Sequence, residues 1–275
     1  MSALPDTTLL LSSGARIPKV GLGVWQTPSG ATTRNAVAAA LEVGYRHIDT
    51  ARIYGNEADV GAAVRDSGVA REQVFVTTKL WNADQGYEPA LRAFDASLQR
   101  LGLDYVDLYL LHWPVAGRRL DSWRALERIH EQGRARSIGV SNFLLPHLDE
   151  LLSKASTAPS VNQIEVTPFL QRRETRALCA GNGIVVEAYS PLTHGQRLDD
   201  PVVANIARRV GRSAAQVLLR WGLQHDLVVL PKSTKPARIA ENGALFDFTL
   251  DHRAMAELDA LEDGFVAGWD PAEQV

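Results

Sequence analysis

The sequence has few of the features that mark secreted, membrane or nucleic-acid-binding proteins. It contains one cysteine, Cys179, among 275 residues. No internal disulfide can therefore form, which fits a reducing compartment. The net charge of −3 provides no bulk positive field for nucleic acid or an anionic membrane surface. No apolar run approaches the ~20 residues needed to span a bilayer, and residues 1–6 lack the basic and apolar regions of a secretory signal. We therefore expect a cytoplasmic protein that binds neither nucleic acid nor membranes.

Eight short apolar runs alternate with helical patterns along the chain. The runs are rich in Val, Ile and Leu without polar alternation, which is typical of strands buried on both faces of a parallel sheet. They cover residues 19–24, 45–48, 74–78, 106–111, 137–140, 161–164, 184–187 and 227–230. Helical patterns cover residues 32–42, 88–101, 122–132, 146–153, 174–182, 201–210, 214–224 and 237–245. The alternation predicts a (β/α)8 TIM barrel that occupies residues 1–275 as a single domain. Residues 7–11 and 15–17 predict a β-hairpin on the bottom of the barrel.

A doubly wound dinucleotide-binding sheet is the main alternative fold. That fold usually carries a glycine-rich turn between its first strand and first helix. Gly21 and Gly23 are present, but the third glycine is missing and residues 25–28 do not begin a helix. We therefore interpret Gly21 and Gly23 as positions of close backbone packing.

Four polar side chains lie at or just beyond the ends of predicted strands. Asp49, Lys79 and His112 follow the second, third and fourth strands, and Tyr54 lies in the loop after the second. Because the carboxyl ends of barrel strands form one rim, we expect these groups to meet. Together they suit proton donation to a carbonyl oxygen, with Tyr54 as general acid, Lys79 lowering its pKa, Asp49 anchoring Lys79 and His112 polarising the carbonyl. A loop cap, a buried ion pair or a backbone hydrogen bond would explain each residue singly, but not their shared rim.

Aromatic and basic residues on the same rim predict a binding pocket. Trp25, Trp81 and Trp113 each follow a predicted strand and would form an apolar wall beside His112, although core packing is the usual role of tryptophan. Trp269 either folds over the pocket mouth or lies on the surface. A basic cluster that could bind a nucleotide follows the eighth predicted strand. Lys232, Ser233 and Arg238 suit a phosphomonoester at a helix N-terminus, whereas Lys235 suits a solvated face. Nicotinamide is an amide-bearing ring that Ser141, Asn142, Gln163 and Tyr189 could hold.

Three sequence motifs resemble those of the aldo-keto reductase family over nearly the whole chain. They are GYRHIDTA at residues 44–51 with Tyr54 and GNE at 55–57, IGVSNF at 138–143, and LPKS at 230–233 with Arg238, Glu241 and Asn242. The resemblance implies a barrel that binds NADP(H) without a Rossmann domain and a catalytic tetrad of Asp49, Tyr54, Lys79 and His112. It implies nicotinamide contacts from Ser141, Asn142, Gln163 and Tyr189, and a pyrophosphate path along Ser190 and Leu192. It assigns the adenosine 2′-phosphate to Lys232, Ser233, Thr234 and Arg238, with Glu241 and Asn242 near the adenine.

Within the family the sequence is most similar to prokaryotic 2,5-diketo-gluconate reductases and methylglyoxal-type reductases. Short segments after His112 and Pro191 imply an open, poorly selective pocket, and residues 264–275 are expected to shape substrate choice. The predicted activity is NADPH-dependent reduction of aldehydes and ketones, including α-dicarbonyls and diketo sugar acids, by a monomer without a metal. His47 is expected on the strand face opposite Asp49, away from any metal site. A regulatory subunit that binds NADP(H) without turnover is the alternative function.

Overall fold

The structure, a computed structural model, describes residues 7–274. Residues 1–6, where we expect no secretory signal, and residue 275 lie outside the described part of the chain. Within residues 7–274, every helix is too short or too polar to cross a membrane.

A sheet of eight parallel strands forms the centre of the fold. In chain order these strands are β3 Leu22–Gly23, β4 His47–Asp49, β5 Phe75–Leu80, β6 Val106–Leu111, β7 Ala135–Ser141, β8 Val161–Glu165, β9 Val185–Tyr189 and β10 Val228–Leu230. Each pairs with the next, and backbone hydrogen bonds join the two ends of the sheet, from Gly21 N–H to the Val229 carbonyl (3.0 Å) and from Val229 N–H to the Lys19 carbonyl (2.9 Å). The predicted (β/α)8 barrel is therefore confirmed.

Helices follow the strands and cover the outside of the barrel. They are α1 Ala31–Glu42, α2 Glu57–Asp66, α3 Tyr87–Leu101, α4 Arg119–Glu131, α5 Leu145–Leu152, α6 Arg173–Gly181, α7 Pro201–Val210, α8 Ala214–Gln224, α9 Pro236–Gly243 and α10 His252–Asp259. Side chains alternate between the two faces of each strand. In β6, Leu108 and Leu110 pack toward the barrel interior, whereas Tyr109 and Leu111 belong to the larger core beneath the helices.

The predicted hairpin lies at the amino-terminal end of the barrel. Strands β1 Thr8–Leu10 and β2 Arg16–Pro18 pair antiparallel. Leu11 and Ile17 are buried against Phe75, Val161 and Val228, which begin or nearly begin their strands. The hairpin therefore closes the bottom of the barrel, as expected, and leaves the opposite rim open.

The first strand is shorter than predicted, and two helices are present that the sequence did not predict. The strand predicted over residues 19–24 is reduced to β3 and a bridge at Val20. A Cβ at Gly21 would lie 2.6 Å from Leu230 and 2.8 Å from Nδ1 of His47, which confirms close packing there, whereas Gly23 has ordinary clearance. Helices α2 and α10 were not predicted.

Helix α2 contains a residue that disfavours helices, and this explains why it was missed. Glycine costs about 1 kcal/mol relative to alanine in a helix interior. Here Gly61 lets α2 approach α3, because a Cβ at residue 61 would lie 1.7 Å from the carbonyl oxygen of Leu101. Helix α10 could have been predicted from Asp251, because aspartate is a preferred N-cap residue. In the structure the Asp251 side chain accepts a hydrogen bond from Ala254 N–H (2.7 Å).

Candidate active site

The four predicted catalytic residues meet at the carboxyl end of the barrel. Asp49 is the last residue of β4, Lys79 is the penultimate residue of β5, and His112 directly follows β6. Tyr54 ends a short 3-10 turn, Arg52–Tyr54, that follows β4. The prediction that they share one rim is confirmed by these positions.

Lys79 is the centre of this group. Its side chain is fully buried, and Nζ donates to both carboxylate oxygens of Asp49, at 2.7 and 2.8 Å. Nζ also lies 3.0 Å from the Thr50 carbonyl oxygen and 3.4 Å from the Tyr54 hydroxyl. Burial acts to lower the pKa of Lys79, but Asp49 and then Tyr54 outweigh it and hold the pKa above its ordinary value. Lys79 is therefore a cation at neutral pH.

The acidity of Tyr54 differs from the expectation. Burial raises the pKa of Tyr54 to about 12, and the nearby charge of Lys79 only opposes this rise. The predicted lowering by Lys79 is thus present but smaller than the effect of desolvation, which the sequence could not show. At neutral pH the Tyr54 hydroxyl carries its proton.

His112 is a neutral, buried imidazole beside the tyrosine. Burial and then the charge of Lys79 lower the pKa of His112 well below its ordinary value. The ring packs edge-on between Tyr54 and Trp81, with centroid distances of 5.8 and 5.4 Å. A neutral ring holds one N–H, which suits donation of a hydrogen bond rather than supply of a charge.

The residues predicted around nicotinamide are linked by hydrogen bonds of their own. Asn142 adopts a left-handed backbone conformation (φ 65°), which asparagine tolerates better than most residues. Its Nδ2 donates to the His112 carbonyl (2.9 Å), and its Oδ1 accepts from the Tyr189 hydroxyl (2.8 Å). Ser141 Oγ donates to the backbone carbonyl of Gln163 (2.9 Å). The ends of β7, β8 and β9 are therefore fixed relative to His112.

The predicted phosphate-binding residues lie in the loop after β10 and in α9. Lys232, Thr234 and Arg238 are exposed, whereas Ser233 is buried and its Oγ accepts a hydrogen bond from Lys235 N–H (3.1 Å). Helix α9 begins at Pro236, so Arg238 lies in its first turn. Two cationic side chains near a helix N-terminus suit a phosphate group.

One pocket of about 720 Å³ connects the two groups of residues. Its lining includes all twelve predicted cofactor residues: Ser141, Asn142, Gln163, Tyr189, Ser190, Leu192, Lys232, Ser233, Thr234, Arg238, Glu241 and Asn242. Asp49, Tyr54 and His112 also line it, while Lys79 lies beneath them. The structure therefore has one pocket that is lined both by the predicted catalytic residues and by the predicted phosphate-binding residues, which fits a dinucleotide phosphate. The predicted solvated residue Lys235 also lines this pocket.

Four tryptophans line the same pocket, namely the three predicted to form a substrate wall and Trp269, and their contact with substrate stays a prediction. They are Trp25, Trp81, Trp113 and Trp269. The Trp269 ring lies 6.4 Å from that of Trp25 and 6.3 Å from that of Trp113, so it covers the mouth although it is 65% exposed. Its segment is attached by the hydrogen bond from Ala267 N–H to Oε1 of the buried Glu165 (2.7 Å).

Several pocket and interior residues were missed by the sequence analysis. Ile53 and His194 line the pocket, and the His194 ring lies 5.4 Å from that of Trp25. Below the site, Glu187 and His47 are fully buried inside the barrel. The expectation that His47 faces away from Asp49 is wrong, because residues two apart in a strand share one face. Among residues 7–274, no group of three or more His, Cys, Asp or Glu side chains is arranged to hold a metal ion.

Comparison with known proteins identifies the family of the chain. Residues 19–263 match the Aldo/keto reductase family. The chain belongs to the aldo-keto reductase family. This membership confirms the predicted enzyme class, an NADP-dependent oxidoreductase, and the predicted resemblance; a 2,5-diketo-gluconate reductase subtype stays a prediction.

Three relatives cover almost the whole of this aldo-keto reductase. It is 50% identical to a glyoxal reductase of Bacillus subtilis, over 99% of this chain and 98% of the relative. It is 51% identical to a morphine 6-dehydrogenase of Pseudomonas putida, over 96% of this chain and 94% of the relative. A solved aldo-keto reductase complexed with NADPH superposes with a TM-score of 0.91 at 33% identity, over 97% of this chain and 90% of that one.

Proposed function

We propose that this aldo-keto reductase reduces aldehydes and ketones to alcohols with Tyr54 as the proton donor. The observation that carries the proposal is the position of the Tyr54 hydroxyl, 3.4 Å from Nζ of Lys79 in the pocket that also contains Lys232 and Arg238. Family membership supports carbonyl reduction with NADPH. When bound, NADPH supplies the hydride to the carbonyl carbon.

The protein side chains supply the proton and stabilise the developing charge. As negative charge grows on the carbonyl oxygen, Tyr54 donates its proton and the N–H of His112 stabilises the oxygen. The pKa of Tyr54, raised to about 12 by burial, still lies below the value of about 15.7 for water, a guide to alcohols. Transfer to an alkoxide-like oxygen is therefore favourable. Lys79, held by Asp49, stabilises the phenolate that remains.

The cofactor assignments extend this proposal along the pocket. We assign the nicotinamide to Ser141, Asn142, Gln163 and Tyr189, the pyrophosphate to Ser190 and Leu192, the 2′-phosphate to Lys232, Ser233, Thr234 and Arg238, and the adenine to Glu241 and Asn242. The continuous lining of one pocket by these residues supports the assignment.

The substrates proposed are small α-dicarbonyls such as methylglyoxal and diketo sugar acids. Similarity to a glyoxal reductase supports the first class. The apolar wall of Trp25, Trp81, Trp113 and Trp269 would contact the remainder of the substrate beside His112. We further propose that the chain forms one domain and acts as a cytoplasmic monomer, which its single cysteine fits.

The decisive test measures the loss of NADPH absorbance when purified protein is mixed with each of a panel of carbonyls. The same assay is repeated with NADH in place of NADPH. Tyr54→Phe should retain NADPH binding but lose roughly 10²–10⁴-fold in kcat, the usual contribution of a general acid. Tyr105→Phe is the matched control, because Tyr105 stacks on Arg71 (4.1 Å) and does not line the pocket. Tight NADPH binding by the wild-type protein without turnover of any carbonyl would favour the regulatory subunit instead, and full activity in Tyr54→Phe would remove Tyr54 from the mechanism.

A further inference from the structure

A cluster of polar side chains fills the barrel interior directly below the active site. We call it the interior cluster, and it consists of His47, Thr77, Gln163 and Glu187, each 2% exposed or less. His47 and Thr77 lie in β4 and β5, whereas Gln163 and Glu187 lie in β8 and β9 across the barrel. The proton-donating group described above does not use Glu187. A fully buried carboxyl group with no assigned role requires an explanation.

Glu187 makes a defined contact with a proposed cofactor-binding residue. The side-chain amide of Gln163 donates one hydrogen to Asp49 Oδ2 (2.8 Å) and one to Glu187 Oε2 (2.6 Å). An amide nitrogen has two hydrogens, so both are used. Across residues 7–274 the Oε1 atom of Gln163 accepts no hydrogen bond, and Gln163 lines the pocket.

The two carboxyl groups determine which way the Gln163 amide points. If the amide were flipped, its oxygen would oppose the carboxylate of Asp49, and Glu187 could bond to it only by moving its proton from the His47 side to Oε2. Opposing buried acceptors in this way is unfavourable, because the acceptors then face each other without a donor. Glu187 and Asp49 together therefore leave the carbonyl oxygen of Gln163 as the free end of the amide.

The charges around Glu187 require it to be neutral. His47 and Asp49 face it from β4, Lys79 from β5, Tyr54 from the turn after β4 and Gln163 from β8. Lys79 is already paired with Asp49, and burial lowers the pKa of His47 to about 3, so this imidazole carries no charge. An ionised Glu187 would be a buried anion without a cation of its own. Burial and then Asp49 accordingly raise the pKa of Glu187 to about 8.

The remaining oxygen of Glu187 is the one to which we assign its proton. Oε1 has no hydrogen-bond partner within normal distance among the described residues, and it lies 3.5 Å from Nε2 of His47. Nε2 is also 3.1 Å from the Thr77 hydroxyl. A neutral acid therefore has its acceptor oxygen on Gln163 and its hydroxyl toward His47.

We infer that Glu187 is a positioning residue, a neutral acid that holds the Gln163 amide so that its carbonyl oxygen receives an N–H of the nicotinamide carboxamide. This inference rests on the proposed function, because it assumes that the nicotinamide lies against Gln163. Glu187 itself is fully buried and is not among the residues that line the pocket, so it acts only through Gln163. Its effect is confined to the carboxamide end of the cofactor.

The test compares three ligands that differ at that end. NADPH has the carboxamide, the reduced 3-acetylpyridine analogue of NADPH has a methyl ketone without N–H donors, and adenosine 2′,5′-bisphosphate lacks the ring. Glu187→Met keeps most of the side-chain volume but removes the acceptor. We expect it to weaken NADPH binding about three- to tenfold, the effect of one hydrogen bond, and to leave the other two dissociation constants within twofold.

Glu187→Gln is the conservative variant that should retain wild-type behaviour. Its carbonyl oxygen can accept from Gln163 while its amide donates toward His47, so it mimics a neutral acid. We expect the wild-type ratio of NADPH affinity to acetylpyridine-analogue affinity. Thr77→Val perturbs His47 without touching Gln163, and it should also leave the ratio unchanged.

Three results would overturn the inference. Equal weakening of all three ligands by Glu187→Met would indicate a general structural role, unchanged NADPH binding would indicate no role, and a Glu187→Gln variant that behaves like Glu187→Met would exclude a neutral acid. If Glu187→Met does not fold, Glu187→Leu removes the same acceptor and leaves Gln163 in place, so it should lower the NADPH-to-analogue affinity ratio in the same way; an unchanged ratio would again contradict the inference. Turnover by the wild-type enzyme is measured separately, so failure of the proposed function is distinguishable from failure of this inference.

Discussion

The ammonium group of Lys79 lies between the two carboxylate oxygens of Asp49, at 2.7 and 2.8 Å, with both side chains removed from water. A buried ion pair is weak evidence for net stability, but removal of one partner leaves an uncompensated charge. The pair therefore fixes Lys79 beside Tyr54 and makes the fold depend on Asp49.

We predict that Asp49→Asn lowers both stability and turnover. The free energy of unfolding should fall by about 3–5 kcal/mol, because the Lys79 ammonium loses its partner inside the barrel. Chemical denaturation followed by circular dichroism measures this change. The control is Asp121→Asn, which breaks the exposed pair of Asp121 with Arg124 and should cost no more than about 1 kcal/mol. Equal losses in the two variants would contradict the assigned role of Asp49.

Lys232 and Arg238, near the start of α9, form the basic end of the pocket. Removal of either cation should change the preference for NADPH over NADH. We predict that Lys232→Ala and Arg238→Ala each raise the dissociation constant for NADPH by about 10–100-fold, the effect of a charge-assisted hydrogen bond. NADH lacks the 2′-phosphate, so its affinity should change less than twofold. Fluorescence titration with both cofactors measures the difference.

Lys235→Ala is the matched control for the basic end. Lys235 also lines the pocket, but we assign the 2′-phosphate to its neighbours. Its loss should alter NADPH affinity less than twofold. If instead all three alanine variants weakened NADPH and NADH alike, the 2′-phosphate assignment would fail.

Much of the fold and site could be predicted from the sequence, because a parallel barrel converts strand order into spatial proximity. Once the strands before Asp49, Lys79 and His112 were recognised, their shared rim followed. The raised pKa of Tyr54 could not be predicted, because burial depends on the packing of the whole rim. Glu187 was missed for a similar reason: in β9 its apolar neighbours do not alternate with polar residues, so the sequence does not show that Glu187 points inward.

The neutral state of Glu187 gives a prediction about pH and stability. In the folded protein burial and Asp49 raise the pKa of Glu187 to about 8 from an ordinary value of 4.5. Across this window the folded state binds more protons than the unfolded state, so the contribution of Glu187 to stability falls as the pH rises. Glu187→Gln cannot ionise and escapes this loss. Its Tm relative to wild type should therefore increase from pH 5 to pH 9.

Thermal unfolding of both proteins at a series of pH values measures that difference. Glu42→Gln serves as the control, because Glu42 is exposed at the end of α1. Its Tm relative to wild type should stay nearly constant over the same range. A constant difference for Glu187→Gln as well would mean that Glu187 is ionised in the folded protein.

The contact between α2 and α3 links stability to the position of Tyr54, the proposed proton donor. Asn56, the residue before α2, accepts from the Thr50 hydroxyl (2.7 Å) and donates to the Val24 carbonyl (3.0 Å). Tyr54 lies two residues before this anchor. A displacement of α2 therefore moves the turn that carries Tyr54.

We predict that Gly61→Ala produces such a displacement. Its Cβ would lie 1.7 Å from the backbone oxygen of Leu101, an atom that cannot move without the end of α3. The free energy of unfolding should fall by roughly 3 kcal/mol, at the upper end of overpacking costs, and kcat should fall while adenosine 2′,5′-bisphosphate binding is kept. Gly181→Ala in α6 is the matched control, because its Cβ would meet no atom within 4 Å and alanine favours helices. A Tm for Gly61→Ala at or above that of Gly181→Ala would show that α2 and α3 can separate freely, and that Gly61 does not hold Tyr54 in place.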